Sequence, residues 1–219
     1  MIIKSVYRFA LFWLNEIVVV ICWHGFMKDT DMKNAFIEKL YQNPVIVAVK
    51  NMKELEKCVE YENEIVFLLF SDICNLQDNV KFLKEHDKFV FVHTELIYGL
   101  SSKEITVDYI KKHTEADGII STRDSNTKRA EAVGLYSVLR YFILDSMALD
   151  NTIKEIKTAH ADAVEILPGI MPKIVEAVSP MTNKPVISGG LVSCKSEIIK
   201  LLNSGAAAIS TTNSDIWSI

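Results

Sequence analysis

Cysteine is scarce and scattered in this chain. The four cysteines among 219 residues, Cys22, Cys58, Cys74 and Cys194, include no CxxC pair. That excludes a disulfide framework and a cysteine-ligated zinc centre, and it predicts reduced thiols in a cytoplasmic protein. Basic charge is not in excess either, with a formal net charge of -4. A nucleic-acid partner therefore needs a local basic patch, and no DNA partner is expected. No GxGxxG follows the first predicted strand, which weighs against a dinucleotide site. No metal or cofactor is expected. Long linkers, low-complexity tracts and blocks of like charge are missing, so residues 32–219 read as one domain.

A long uninterrupted apolar run is also lacking. Val6 to Phe26 is apolar and aromatic, but Arg8, Asn15 and Glu16 interrupt it. What remains falls short of the roughly 20 residues that a membrane span needs. Three readings of residues 1–31 stand open: an upstream extension from a mis-called start, a weak membrane anchor, or an ordered flanking helix. The first is adopted, because Met27 and Met32 are both plausible starts. A clean amphipathic helix begins at Met32.

From Asn34 onward, strand and helix patterns alternate. Ala35 to Tyr41 predicts a short helix able to plug the bottom of a barrel. Strands are predicted at Val45–Val49, Ile65–Phe70, Phe89–Val92, Gly118–Ser121, Ser137–Ile143, Ala163–Leu167, Val186–Ile187 and Ala207–Ile209. Several are continuous apolar runs, as expected of parallel strands covered on both faces. Between them lie helical patterns, with Ser101 or Ser102 able to cap the third, Gly134 expected to end the fourth, and Ser146 to cap the fifth, which is expected to run to about His160. The prediction is an α/β fold: a small TIM-like (β/α)8 barrel with a reduced final helix. An open doubly wound sheet is the alternative.

In such a barrel, function lies at the C-terminal ends of the strands. Those ends carry Asp72, His93 and Glu95, Arg140, Glu165, Gly189 and Gly190, and Ser210 and Thr211. The glycines allow close backbone approach, and the hydroxyls and amides ahead of Asn213–Trp217 suit an anion. Acids, a His and an Arg beside an anion cradle describe a pocket for a small polyol or sugar phosphate. Plainer roles stand beside this one. Asp72, Asn75 and Asp145 are placed to cap helices, His93 could be a satisfied core histidine, and Arg140 with Glu165 could form an internal ion pair. Gly169 could simply shape a turn, and Trp217 reads as a packing plug.

Several segments are more specific than this pattern. They include Ser71-Asp-Ile-Cys-Asn75, His93-Thr-Glu-Leu-Ile-Tyr-Gly-Leu100, Glu165-Ile-Leu-Pro-Gly-Ile-Met-Pro172, Ser188-Gly-Gly190 and Ala206-Ala-Ala-Ile-Ser-Thr-Thr212. In order and spacing, from about Asn43 to Trp217, they resemble the glycerol uptake operon antiterminator family. The resemblance implies a non-enzymatic TIM-like barrel that senses glycerol 3-phosphate. It also implies that the liganded protein binds the leader of glycerol-utilisation transcripts and prevents early termination. Carried over by motif, the phosphate would meet Gly189, Gly190, Ser210 and Thr211. Asp72, His93, Glu95, Arg140 and Glu165 would line the polyol end. One departure is Leu139, where the family usually has Gln.

For an mRNA leader, the nearest basic cluster is Arg123, Lys128 and Arg129, which equally fits a solvated helix face. RNA binding could need a homo-oligomer to concentrate charge. The competing function is a phosphate-substrate isomerase or lyase, with Asp72, His93, Glu95 and Glu165 moving protons. No lysine is assigned to a strand's C-terminal end, which argues against Schiff-base chemistry. A membrane-tethered sensor is the third possibility.

Overall fold

The structure is a computed structural model that describes residues 34–218. The expectation for residues 1–31 lies outside the described residues. In chain order the elements are α1 (Asn34–Gln42), β1 (Val45–Val49), α2 (Met52–Cys58), β2 (Ile65–Leu68), β3 (Ser71–Asp72), α3 (Leu76–Lys84), β4 (Phe89–His93) and β5 (Ile97–Tyr98). Then follow α4 (Ile105–His113), β6 (Gly118–Ser121), α5 (Asp124–Ala132), β7 (Tyr136–Phe142) and α6 (Ser146–Glu155). The last are β8 (Ala163–Leu167), α7 (Pro172–Val178), β9 (Val186–Gly189), α8 (Lys195–Asn203), β10 (Ala208–Thr211) and a 3-10 turn at Ser214–Ile216.

Eight parallel strands close into a barrel in the order β1-β10-β9-β8-β7-β6-β4-β2. Closure is made where Val45, Ile46 and Val47 pair with Ile209, Ser210 and Thr211. A turn takes the place of an eighth full helix, as expected for so short a barrel.

Alternation along each strand divides the core in two. One set of side chains faces the helices: Val47, Val66, Val90 and Ile119 pack on Leu55, Val80, Leu83 and Ile110. Across the barrel, Val164, Ile166, Val186 and Ile209 pack on Ile156, Val175, Ile198 and Leu201. The other set fills the barrel, with Ile46, Ala48, Phe67, Phe91, Ile120, Val138, Ala163, Ile187 and Ala208 in one cluster. Phe36 and Leu40 of α1, both fully buried, close the bottom of that cluster. The Phe36 ring centroid is 4.6 Å from that of Phe91 and 5.7 Å from that of Tyr136.

Four local expectations need correction. The second predicted strand stops at Leu68, and Ser71–Asp72 instead pairs with Ile97–Tyr98 in a separate two-stranded parallel sheet. Two residues per strand are too short to leave a periodic signal. Asp145, not Ser146, caps α6, because its carboxylate accepts from Ala148 N at 2.8 Å. A carboxylate at that position also suits the helix dipole. The same helix ends at Glu155 rather than near His160, whose N–H is held by Asp124 Oδ1 at 2.8 Å. Finally, neither Ser101 nor Ser102 caps α4, whose N-cap position is Glu104.

Candidate functional site

The site follows from the strand period. Two residues beyond the apolar layer that fills the barrel, the side chains on the same face are His93 on β4, Arg140 on β7, Glu165 on β8, Gly189 on β9 and Ser210 on β10. The apolar layer is thus overlaid by a polar one at the C-terminal ends of the strands. Register brings its members together, since Arg140 is paired with Glu165 and Ser210 with Gly189.

Glu165 is the hub of this layer. It is fully buried, and one carboxylate oxygen accepts from Arg140 Nε at 2.6 Å. The other accepts from Ser210 Oγ at 2.5 Å. A buried carboxylate is tolerated only when paired in this way. Gly189 makes room for it: a Cβ there would lie 2.3 Å from Ser210 Oγ and 2.5 Å from Glu165 Oε1. Gly169 is required for a similar reason, because its Cβ would meet the Gly189 backbone at 2.8 Å. It is more than a turn residue. Its N–H donates to Gly190 O at 3.2 Å, and its carbonyl accepts from Ser188 Oγ at 3.1 Å.

His93 and Glu95 form the opposite wall. His93 is 3 % exposed, and its Nδ1 lies 3.3 Å from Glu95 Oε2. Burial, reinforced by the positive charge of Arg140, pushes the His93 imidazole down to about 3, so it is neutral near pH 7. Glu95 stands on the 3-10 turn after β4, and its Oε1 accepts from Ser121 Oγ at 2.5 Å. Asn126 of α5, which motif reading did not single out, joins this wall by donating to Ser121 Oγ at 3.1 Å. The signal for it is weak, a lone amide in the first turn of a helix.

The structure therefore brings together His93, Glu95, Arg140, Glu165, Gly189 and Ser210. Gly190 follows directly, with φ at 79, and Leu191 continues the left-handed turn at 61. Asp72 is not in the closed ring. It lies in the small sheet, and its carboxylate accepts from the N–H groups of Cys74 and Asn75 and from Asn75 Nδ2 at 2.7–3.1 Å. Thr211 points outward from β10. Its hydroxyl donates to Val192 O and accepts from Asn213 N, while its carbonyl accepts from Trp217 Nε1 at 3.0 Å. Trp217, 1 % exposed, plugs the end of the chain against Tyr61.

Contrary to expectation, a lysine does meet a strand end, at Lys50. It follows Val49 directly, exposed, with its ammonium 3.6 Å from Glu54. The expected basic cluster on α5 is largely neutralised. Lys128 pairs with Asp124 at 3.1 Å, and Arg129 donates to Asp108 Oδ1 through Nε and Nη2 at 2.8 and 2.6 Å. Arg123 is exposed, in the N-cap position of α5.

A cavity of about 590 Å³ lies at the other end of the barrel, between Ile37, Tyr41, Tyr136, His160, Lys184 and Pro185. None of the unpartnered buried polar atoms lies in it. Among the described residues no helix is long and apolar enough to cross a membrane.

Residues 45–217 match the family model described as "Glycerol-3-phosphate responsive antiterminator". The chain belongs to the glycerol-3-phosphate responsive antiterminator family. A solved family structure, the glycerol uptake operon antiterminator regulatory protein of Listeria monocytogenes, is 31% identical with a TM-score of 0.76. The match covers 79% of this chain and 94% of that one. A glycerol uptake operon antiterminator-related protein of Thermotoga maritima is 37% identical with a TM-score of 0.71, covering 80% and 98% of the two chains. The uncharacterized Escherichia coli protein YgcP is 39% identical over 180 residues, which are 82% of this chain and 94% of that one. The family match spans every strand of the barrel and the polar layer at their ends.

Proposed function

We propose that the protein is a glycerol 3-phosphate sensor that regulates transcripts for glycerol uptake and metabolism without performing chemistry. In the cytoplasm, the liganded form would bind an mRNA leader and prevent early termination. Family membership supports the class of function. The observation that carries the ligand reading is the buried Arg140–Glu165–Ser210 cluster set against Gly189, at the mouth of a closed barrel.

The phosphate is assigned to the Gly189–Gly190 turn and the start of the segment after β10. Among the described residues, the Gly190 and Leu191 N–H groups meet no acceptor. The polyol is assigned to the side of His93 and Glu95. Ser210 contributes by holding Glu165, since its hydroxyl is already donated there. Thr211 shapes the segment from outside, and Asp72 shapes the neighbouring loop.

An isomerase or lyase reading is less well supported. Glu165, one of its proton-transfer candidates, is already tied to Arg140 and Ser210, and the family that the chain matches is described as a responsive antiterminator. A regulator instead needs differential affinity of the ligand for two states. Arg123 is the cation of the α5 cluster left for RNA, so a broader RNA surface on the full protein, or on an oligomer, is implied.

In vitro transcription through a glycerol-gene leader terminator tests the whole reading. Read-through should rise with protein only when glycerol 3-phosphate is present. Read-through independent of the ligand, or turnover of the ligand by the protein, would refute it.

A further inference from the structure

Three buried polar side-chain atoms near this mouth have no hydrogen-bond partner: His93 Nδ1, Glu95 Oε2 and Asn126 Oδ1. Folded proteins pair nearly all such atoms, so each needs an explanation. Asn126 is completely buried, and its neighbours set the orientation of its amide. Ser121 Oγ already donates its proton to Glu95 Oε1 at 2.5 Å, so it can only accept from Asn126 Nδ2, 3.1 Å away. A flipped amide would press Oδ1 against acceptors. Asn126 Oδ1 and Glu95 Oε2 are therefore both left open, and both can only accept. His93 Nδ1 lies 3.3 Å from Glu95 Oε2 but outside hydrogen-bond geometry, so the ring leaves that oxygen open.

Whatever completes this wall must supply protons. We propose that Glu95 Oε2 and Asn126 Oδ1 read the two hydroxyls of a vicinal diol, which makes Asn126 a specificity-determining residue. The site then selects a polyol phosphate over its ketone analogue. The proposal rests on the reading that the mouth binds glycerol 3-phosphate. A ketone oxygen has no proton to give. It would leave one acceptor unpaired and set its own lone pairs against a carboxylate, a loss of about ten- to hundredfold in affinity.

Titration calorimetry on the full chain tests this, with glycerol 3-phosphate and dihydroxyacetone phosphate as the two probes. Wild type should favour the alcohol by about tenfold or more. In Glu95→Gln, Ser121 and Asn126 hold the amide oxygen, so the NH2 replaces Oε2 and puts a donor where an acceptor stood. The preference should shrink or invert there, and it should shrink in Asn126→Ala. Equal affinities in wild type, or a ratio unmoved by Glu95→Gln, would overturn the diol proposal and leave the site standing. Binding of neither probe by wild type would overturn both the site and the proposal.

Discussion

At the scale of single residues, Gly189 and His93 make the sharpest claims. Gly189 lacks a positive φ, so alanine there meets no backbone penalty. Its Cβ would instead strike Ser210 Oγ and Glu165 Oε1 at 2.3 and 2.5 Å. Gly189→Ala should therefore displace the carboxylate and lower ligand affinity at least tenfold, measured by calorimetry. Gly134→Ala is the opposite case. Nothing lies within 4 Å of a Cβ there, but φ is 70, so the cost is backbone strain of about 1–2 kcal/mol, read from urea unfolding, with binding unchanged. His93 predicts a pH dependence. Its native pKa is about 3 against an ordinary 6.5, so only the unfolded chain takes up a proton between those values. Stability is full above pH 6.5 and is lost as pH falls toward 3. Between pH 7 and 4.5 that loss should be about 2–3 kcal/mol, and it should be absent in His93→Gln. An identical acid limb in the variant would show that the native imidazole is charged. The candidate residues themselves were legible in the sequence as polar endings of apolar strands. Their division of labour was not, because Asp72 and Thr211 end strands too, and only register shows one outside the ring and the other facing outward.

At the scale of elements, α1 is the least obvious necessity. A nine-residue helix with Phe36 and Leu40 on one face has little stability alone, yet it seals the bottom of the barrel. Phe36→Ala would open a cavity among Phe89, Phe91 and Tyr136 and should cost about 3–5 kcal/mol, read from urea unfolding. Tyr41, half exposed on the same helix, should tolerate alanine with a cost below about 1 kcal/mol. Apolar strands such as Val45–Val49 and helices with clear faces were readable because the pattern accumulates over several residues. The β3–β5 pair was not, since two residues carry no period. The α6 cap was displaced by one because Asp145 and Ser146 are both good capping residues, and only the bond to Ala148 N decides between them.

At the scale of the whole molecule, one pattern organises the chain. Each barrel strand turns apolar side chains to the helices and to the interior. Where the interior layer ends, several strands place a charge, a hydroxyl or a glycine. Closure then converts separate strand endings into one site, with Glu165 tied to Arg140 on one neighbouring strand and to Ser210 on a more distant one. The eight-strand alternation made this closure predictable, and the specific motifs pointed to the family. The RNA surface was not predictable, because cations on a helix look alike whether solvated or paired. Here Asp108 and Asp124 neutralise two of the three. The most direct measurement of the central claim is a crystal structure of the full chain with glycerol 3-phosphate. The phosphate should lie against the Gly189–Gly190 turn with the glycerol hydroxyls toward Glu95 and Asn126. Ligand density in the cavity between Tyr41, Tyr136 and Lys184 at the opposite end, with the mouth unchanged, would contradict it.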